Sequence, residues 1–202
     1  KVILGKSLKE QGIDMIYPEE KKRWYVKAPA FSFAKLNGMD AYLSPEMKST
    51  GEAIGYDDKL PRAMYKALIA SGVKMQNYGT VVVTLADEDK EEALPLIKRF
   101  YDMGFNIEAT VGTGEFLKAH GIRTRIRRKL SENSTEILEA IRAGYVSYVI
   151  NTRAILSGIH YEDGLAIRRT AIENNVTMFT SLDTVRVLLD VLEEITIGVS
   201  TI

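Results

Sequence analysis

The stretch IEATVGTGEFLKAHGI, residues 107–122, joins an apolar run to a helical pattern through two threonines and two glycines. The apolar run is typical of a buried strand, and the segment after the glycines is typical of a helix. Between them, Thr110, Gly112, Thr113 and Gly114 have two interpretations. They form only a tight turn, or they form a phosphate cradle in which hydroxyls, close backbone approach and free helix N–H groups act together.

Strand-like and helix-like segments alternate five times from Thr80 onward, as short βα units. The predicted strands cover 80–85, 105–110, 123–130, 145–151 and 176–180, and the predicted helices cover 87–104, 114–121, 134–144, 162–175 and 181–194. This alternation predicts an α/β fold, with a Rossmann-like, mostly parallel sheet and helices on both faces. Ligands of such folds bind outside the carboxyl ends of the strands.

The first 79 residues have a different sequence pattern, without the regular alternation of strands and helices. Residues 1–12 read as the end of a helix that stops at Gly12, and residues 22–34 alternate as extended chain. Residues 37–58 are rich in glycine and proline and are expected to be turns, and a helix is expected from Leu60 with Pro61 in its first turn. The start without a methionine suggests a piece of a longer chain.

Composition excludes several classes of function. The formal net charge is +0, from 27 basic and 27 acidic residues, so no global field favours nucleic acid or an anionic membrane. There is no cysteine and there are only two histidines, which excludes disulfides and histidine-rich or cysteine-rich metal sites. No apolar run approaches the roughly 20 residues that span a bilayer. A cytoplasmic protein without a metal site is the expectation.

Polar groups follow several of the predicted strands, where a ligand of this fold would bind. Lys90 lies near the start of the first helix of the βα series, and Asn151 with Thr152 ends the clearest strand. Each has an ordinary structural explanation, a solvated helix face for the lysine and a cap for the asparagine. Parallel strands end at one edge of the sheet, so these polar residues are expected to lie close to the Thr110–Gly114 stretch. Together they predict a mononucleotide or sugar-phosphate site.

The basic run RTRIRRK, residues 123–129, has two interpretations as well. Alternation places Arg123, Arg125, Arg127 and Lys129 on one face of a strand, where they line an anion site or protect a solvated sheet edge. No nucleophile–base pair, acid pair or metal cluster occurs in the turns after the strands. The sequence therefore predicts binding without catalysis.

Several motifs resemble one enzyme family. LSPEMKSTGEAIGYD, residues 43–57, and GKSLKEQGI, residues 5–13, are similar to the second synthetic unit of the carbamoyl-phosphate synthetase large subunit. EATVGTGEFLKAHGI, VINT and IRRTAIENNV resemble, in order and spacing, the C-terminal allosteric domain of that subunit, which has the methylglyoxal-synthase-like fold. The resemblance covers essentially the whole chain.

The resemblance implies a division of the chain. Residues 1–72 would be the α+β tail of an ATP-grasp unit, and residues 73–202 the methylglyoxal-synthase-like allosteric domain. The parent enzyme makes carbamoyl phosphate from bicarbonate, glutamine-derived ammonia and ATP with Mg or Mn, beside a small glutaminase subunit. Its ATP-contacting and metal-ligating acids lie upstream in the family, so this chain would hold no cofactor and would not catalyse the reaction alone.

The family's contacts to an effector phosphate carry over onto Lys90, Thr110, Thr113, Lys129 and Asn151. Secondary positions at the same site are Gly112, Gly114, Thr152, Arg153 and Thr180. The chain departs from the family pattern in having Arg153 and Gly164 where a threonine and a serine are expected, and Met178 where arginine-linked enzymes place a tyrosine for ornithine. The resemblance therefore implies control by UMP, with IMP or phosphoribosyl pyrophosphate as further effectors, rather than by ornithine.

Two other classes of function remain open. A methylglyoxal synthase shares the fold and the threonine cradle, but its carboxylate base is expected in a loop that reads KLSENSTE here, residues 129–136, without an Asp. The third class is a structural segment that binds no nucleotide and only contacts the rest of the large subunit. Oligomerisation is expected if Trp24, Phe31 and Phe33 are left exposed.

Overall fold

A computed structural model describes residues 1–14, 21–31, 49–128, 130–152 and 161–197. Phe33, the first part of the 43–57 motif, Lys129 and Arg153 therefore lie outside the described residues. Within them, the chain forms a two-stranded antiparallel sheet and a five-stranded parallel sheet. No helix in the described ranges is both long enough and apolar enough to cross a bilayer.

The predicted alternation of strands and helices is confirmed. The first part of the chain contains β1 (Trp24–Phe31), β2 (Ser49–Asp57) and α1 (Leu60–Ala70). The second part consists of β3 (Thr80–Thr84), α2 (Lys90–Asp102), β4 (Asn106–Thr110), α3 (Val111–Ala119), β5 (Thr124–Arg127), α4 (Glu136–Arg142), β6 (Val146–Asn151), α5 (Tyr161–Glu173), β7 (Thr177–Phe179) and α6 (Leu182–Ile197).

The five strands are all parallel and lie in the order β5-β4-β3-β6-β7. Alternate strand residues point to opposite faces. On one face Val81, Val83 and Tyr148 pack with α2, α3 and α6, and on the other Val82 and Val149 pack with α4 and α5. The fold is therefore α/β, with a parallel sheet that has helices on both faces.

Two predictions about the first part of the chain are wrong. The N-terminal residues form short 3-10 turns at Val2–Leu4 and Lys9–Gln11 instead of the end of a helix, although Gly12 does end the second turn with φ 72. The second half of the turn-rich region, 49–57, is strand β2, paired with β1. Its glycine Gly55 serves packing rather than a turn, because a Cβ there would lie 2.1 Å from the carbonyl oxygen of Ala63 in α1.

The stretch around Thr110 also differs from its prediction in one respect. No turn separates the strand from the helix: Thr110 is the last residue of β4 and the N-cap of α3, which begins at Val111. Gly112, Thr113 and Gly114 therefore lie in the first turn of the helix. This placement brings the start of the helix directly to the end of the strand. The first N–H groups of a helix have no partner within it, so they are presented at the strand end.

Candidate functional site

The carboxyl ends of three adjacent strands form a row of polar side chains on one face of the sheet. Thr84 pairs with Asn151 across β3 and β6, and the preceding residue of β3, Val83, pairs with Ala109, so Thr84 lies between Asn151 and Thr110. All three side chains are less than 10% exposed. We call this row, together with the residues that flank it, the carboxyl rim; its members are Thr84, Leu85, Ala86, Lys90, Thr110, Val111, Gly112, Thr113, Asn151 and Thr152.

Hydrogen bonds connect the strand ends of the rim to one another. The N–H of Leu85 donates to Thr113 Oγ1 at 3.2 Å, and Thr110 Oγ1 lies 3.4 Å from the same oxygen. The N–H of Ala86 donates to Thr152 Oγ1 at 2.8 Å. These bonds fix the loop after β3 against the start of α3 on one side and against the end of β6 on the other.

Lys90 brings a cation to the rim. Its side chain is 17% exposed, and its ammonium forms an ion pair of 2.6 Å with Asp87. A Cβ built on Gly112 would lie 3.7 Å from Lys90 Nζ, which places the ammonium beside the first turn of α3. The N-terminal end of a helix carries a partial positive charge, so the lysine and the helix start together favour an anion between them.

The two glycines of the stretch have different roles. Gly112 is exposed and faces the Lys90 ammonium, whereas Gly114 is buried against β5. A Cβ on Gly114 would lie 2.9 Å from Ile126 Cγ1, closer than packed atoms allow. Gly114 is therefore required for the contact between α3 and β5, and Gly112 leaves space at the rim.

Two arginines of the basic row, Arg125 and Arg127 on β5, are paired within the protein. Arg127 donates to the buried carboxylate of Glu108 at 2.8 and 3.2 Å, and to Tyr145 Oη at 3.0 Å. The hydrogen bonds and the charge of Glu108 raise the pKa of the Arg127 guanidinium. Arg125 lies 4.0 Å from the same carboxylate, and β5 is an edge strand. For these two arginines, the protected-edge interpretation fits the geometry better than a wall facing an anion, and Lys129 lies outside the described residues.

Arg168 is a member of the site that the sequence prediction missed. It lies on α5, is 2% exposed, and donates from Nη1 to Asn151 Oδ1 at 2.8 Å. Asn151 Nδ2 in turn donates to Thr84 Oγ1. The sequence does not indicate that Arg168 is buried. It is one of two adjacent arginines, Arg168 and Arg169, and helical spacing alone does not show which of the two faces the core.

The structure places most of the predicted site residues together. Lys90, Thr110, Gly112, Thr113, Asn151 and Thr152 meet at the carboxyl rim, and Gly114 lies just behind it. Thr180 follows β7, the edge strand next to β6. In the described ranges, no group of three or more His, Asp or Glu side chains is arranged to hold a metal ion.

Known proteins resemble this chain in sequence and in structure. Residues 92–180 match the family model described as "MGS-like domain", so this part of the chain is similar to MGS-like domains. Among solved structures, a crystal structure of methylglyoxal synthase from Elizabethkingia anophelis NUHP1 matches this chain with 16% identity and a TM-score of 0.49. The match spans 57% of this chain and 79% of the chain in that structure.

Proposed function

We propose that this chain is the regulatory, effector-binding C-terminal part of a glutamine-hydrolysing carbamoyl-phosphate synthetase large subunit. In this proposal, the ATP-grasp tail ends near residue 72 and an allosteric domain follows. The match of residues 92–180 to MGS-like domains and the family-like motifs of the first 57 residues support it. The single observation that carries the binding role is the meeting of Lys90, Thr110 and Thr113 at the start of α3.

The rim suits one phosphate group attached to a larger molecule. The backbones of Thr110 and Asn151 are two strand spacings apart, about 10 Å. Two donor atoms that bond to opposite oxygens of one oxyanion lie roughly 8 Å apart. Side chains that lean inward from backbones about 10 Å apart can place their donor atoms at that separation. The ammonium of Lys90 adds a charge-assisted contact, which is about twice as strong as a neutral one. UMP is the effector we propose, with IMP or phosphoribosyl pyrophosphate as further candidates.

Regulation follows from differential binding. An effector that prefers one conformation of the whole subunit shifts its population, and typical coupling free energies of 1–3 kcal/mol change affinity roughly 5- to 150-fold. Met178, which the family resemblance places where a tyrosine would contact ornithine, packs against the core under α4 and α5. A thioether cannot donate the hydrogen bond of a phenol, which argues against ornithine as the effector.

A methylglyoxal-synthase-like lyase is the second candidate, because the match to MGS-like domains is compatible with either role. That reaction needs a carboxylate base beside the phosphate. Two acidic side chains that lie next to rim residues in the sequence or on α5 are engaged, Asp87 with Lys90 at 2.6 Å and Asp163 with Ser131 at 2.6 and 3.0 Å. This observation favours the regulatory role over the lyase.

A thermal-shift screen with UMP, IMP, phosphoribosyl pyrophosphate and ornithine tests the proposal. A ligand present at 100 times its Kd stabilises the native state by about 2.7 kcal/mol, so UMP is expected to raise Tm clearly while ornithine does not. Lys90→Ala and Lys129→Ala are each expected to weaken UMP binding at least tenfold. The exposed Lys118→Ala, at the far end of α3, is the matched control that leaves binding unchanged.

Two results would contradict the proposal. No Tm shift with any phosphorylated ligand would leave the structural-segment alternative. Production of methylglyoxal from dihydroxyacetone phosphate by the purified chain would establish the lyase instead.

A further inference from the structure

Arg168 has the largest side chain among those that are almost fully buried in the described residues. A guanidinium carries five donors, no acceptor and a permanent charge, and burying one costs free energy unless polar groups face it. One of those groups is the side-chain oxygen of Asn151, at 2.8 Å from Nη1. Gly164, one turn earlier on α5, makes room for this contact, since a Cβ there would lie 2.9 Å from Nη1.

This bond decides which way the Asn151 amide faces. An asparagine amide presents an acceptor on one side and two donors on the other, and the two orientations have nearly the same shape. Because Arg168 can only donate, Asn151 Oδ1 must face it, and Nδ2 must face the rim. There Nδ2 donates to Thr84 Oγ1, so the hydrogen bonds run in one direction, from Arg168 through Asn151 to Thr84.

Two further hydroxyls of the rim are oriented in the same sense, whereas Thr110 Oγ1 donates its own proton to Thr113 Oγ1 at 3.4 Å. Thr113 Oγ1 accepts from the N–H of Leu85, and Thr152 Oγ1 accepts from the N–H of Ala86. A hydroxyl has one proton and two lone pairs, so a threonine that accepts from a backbone N–H keeps its proton for donation to another group. Lys90 adds an ammonium, which can only donate.

We propose that Arg168 is a positioning residue that makes the carboxyl rim a hydrogen-bond donor surface, selective for oxyanions that carry no proton. This inference rests on the proposed function, since it concerns the same site. Arg168 does not need to contact the ligand, because it acts by fixing the amide of Asn151. A ligand whose oxygens all accept, such as sulfate or a fully ionised phosphate ester, fits every donor. A protonated phosphate has one O–H without a partner there.

The test compares inorganic sulfate with inorganic phosphate on the full chain, by NMR titration of the Gly112 and Thr113 amides. The titration is made at about pH 5.5, where inorganic phosphate is mostly the dihydrogen anion and therefore carries protons, while sulfate has none. Wild-type protein is expected to bind sulfate at least as tightly as phosphate. Arg168→Met removes the donor that fixes Asn151, and is expected to weaken sulfate binding about tenfold and phosphate binding less.

Asn151→Asp is the second variant, because it keeps the size of the side chain and its bond to Arg168. Its outer carboxylate oxygen accepts where the amide donated, so the preference is expected to reverse at least tenfold toward protonated phosphate. A loss of structure alone would weaken both anions equally and leave their ratio unchanged. Arg169→Met, at the neighbouring exposed arginine, is the matched control and should behave as wild type.

The outcomes separate the two proposals. A sulfate-to-phosphate ratio that stays unchanged in Asn151→Asp, whether or not Arg168→Met folds, overturns the inference and leaves the effector site standing. Absence of saturable binding of either anion to wild-type protein overturns both. A ratio that reverses in Asn151→Asp while UMP still fails to bind supports the inference and contradicts the nucleotide assignment.

Discussion

Gly112 and Gly114 are two residues apart in sequence and differ in what they contact. Gly114 packs against Ile126, while a Cβ on Gly112 would lie 3.7 Å from the Lys90 ammonium, at an ordinary contact distance. A methyl group at Gly112 therefore enters the space between two donors without a clash inside the protein. A substitution at Gly112 is therefore expected to change anion binding, and a substitution at Gly114 is expected to change folding.

Gly112→Ala is expected to stabilise the free protein slightly and to weaken anion binding. Alanine is favoured over glycine in a helix by up to about 1 kcal/mol, whereas the new methyl group displaces an anion from the helix start. Calorimetric titration with UMP should show at least a tenfold loss of affinity, about 1.4 kcal/mol, with an unchanged or raised Tm.

Gly114→Ala is the contrast variant, and its effect should be the opposite. Overpacking against Ile126 costs about 1–3 kcal/mol, so Tm falls while any remaining folded protein still binds. A Gly112→Ala variant that binds UMP as wild type does would show that the anion lies elsewhere.

Most residues of the candidate site could be predicted from the sequence, and the reasons are local. Lys90 begins a helix, Thr110 and Asn151 each end a strand, and Thr113 lies in the first turn of α3. The parallel sheet brings such positions to one edge. Arg168 could not be predicted, because it lies inside a helix and only tertiary packing buries it.

At the scale of elements, the segment between α1 and β3 is held against the amino ends of two strands. Tyr148 of β6 accepts from the N–H of Gln76 at 2.6 Å and donates to its carbonyl oxygen at 2.7 Å. Ser147 donates to the carbonyl oxygen of Tyr78 at 2.8 Å, and Thr177 of β7 donates to that of Lys74 at 2.9 Å. The segment is therefore bonded to the sheet at three positions along its length.

Burial raises the pKa of the Tyr148 phenol to about 12, from an ordinary value of 10.0. Because the protonated phenol is favoured in the folded state, its contribution to stability is complete below about pH 10 and is lost as the pH rises toward about 12. Tyr148→Phe is expected to lower the free energy of unfolding by about 1–3 kcal/mol at pH 8, because the backbone of Gln76 loses its partner.

The pH profile distinguishes this bond from simple packing. The stability gap between wild type and Tyr148→Phe should narrow between about pH 10 and 12 in urea unfolding curves. Tyr78→Phe is the control, at a side chain that is 70% exposed, since it leaves the bond from Ser147 to the Tyr78 carbonyl oxygen in place. A Tyr148→Phe gap that stays constant up to pH 12 would contradict the account.

Elements of the second part were easier to predict than those of the first part, for a physical reason. Buried parallel strands such as β3 and β6 are rich in β-branched and aromatic residues, whereas β2 has two glycines and one exposed face. Glycine in β2 serves the close approach of α1, and a single sequence does not distinguish that use from a turn.

At the scale of the whole molecule, the first part of the chain contacts the second through two helices. α1 packs against α6, and Lys59 and Arg62 lie 3.2 and 3.5 Å from the carboxylate of Glu194. Exposed ion pairs of this kind contribute about 0–1 kcal/mol each, so packing stabilises this contact more than charge does. The contact offers a route by which ligand binding at the rim could bias the preceding part, as the regulatory proposal requires.

The central claim is that the carboxyl rim binds the phosphate of an effector, and amide NMR tests it most directly. On titration of the full chain with UMP, the largest shifts are expected at Leu85, Gly112, Thr113 and Asn151, with saturation. Amides at the opposite ends of the strands, near Gly79 and Tyr145, should stay unchanged. Saturable shifts confined to those amino ends, or no saturable shift anywhere, would contradict the claim.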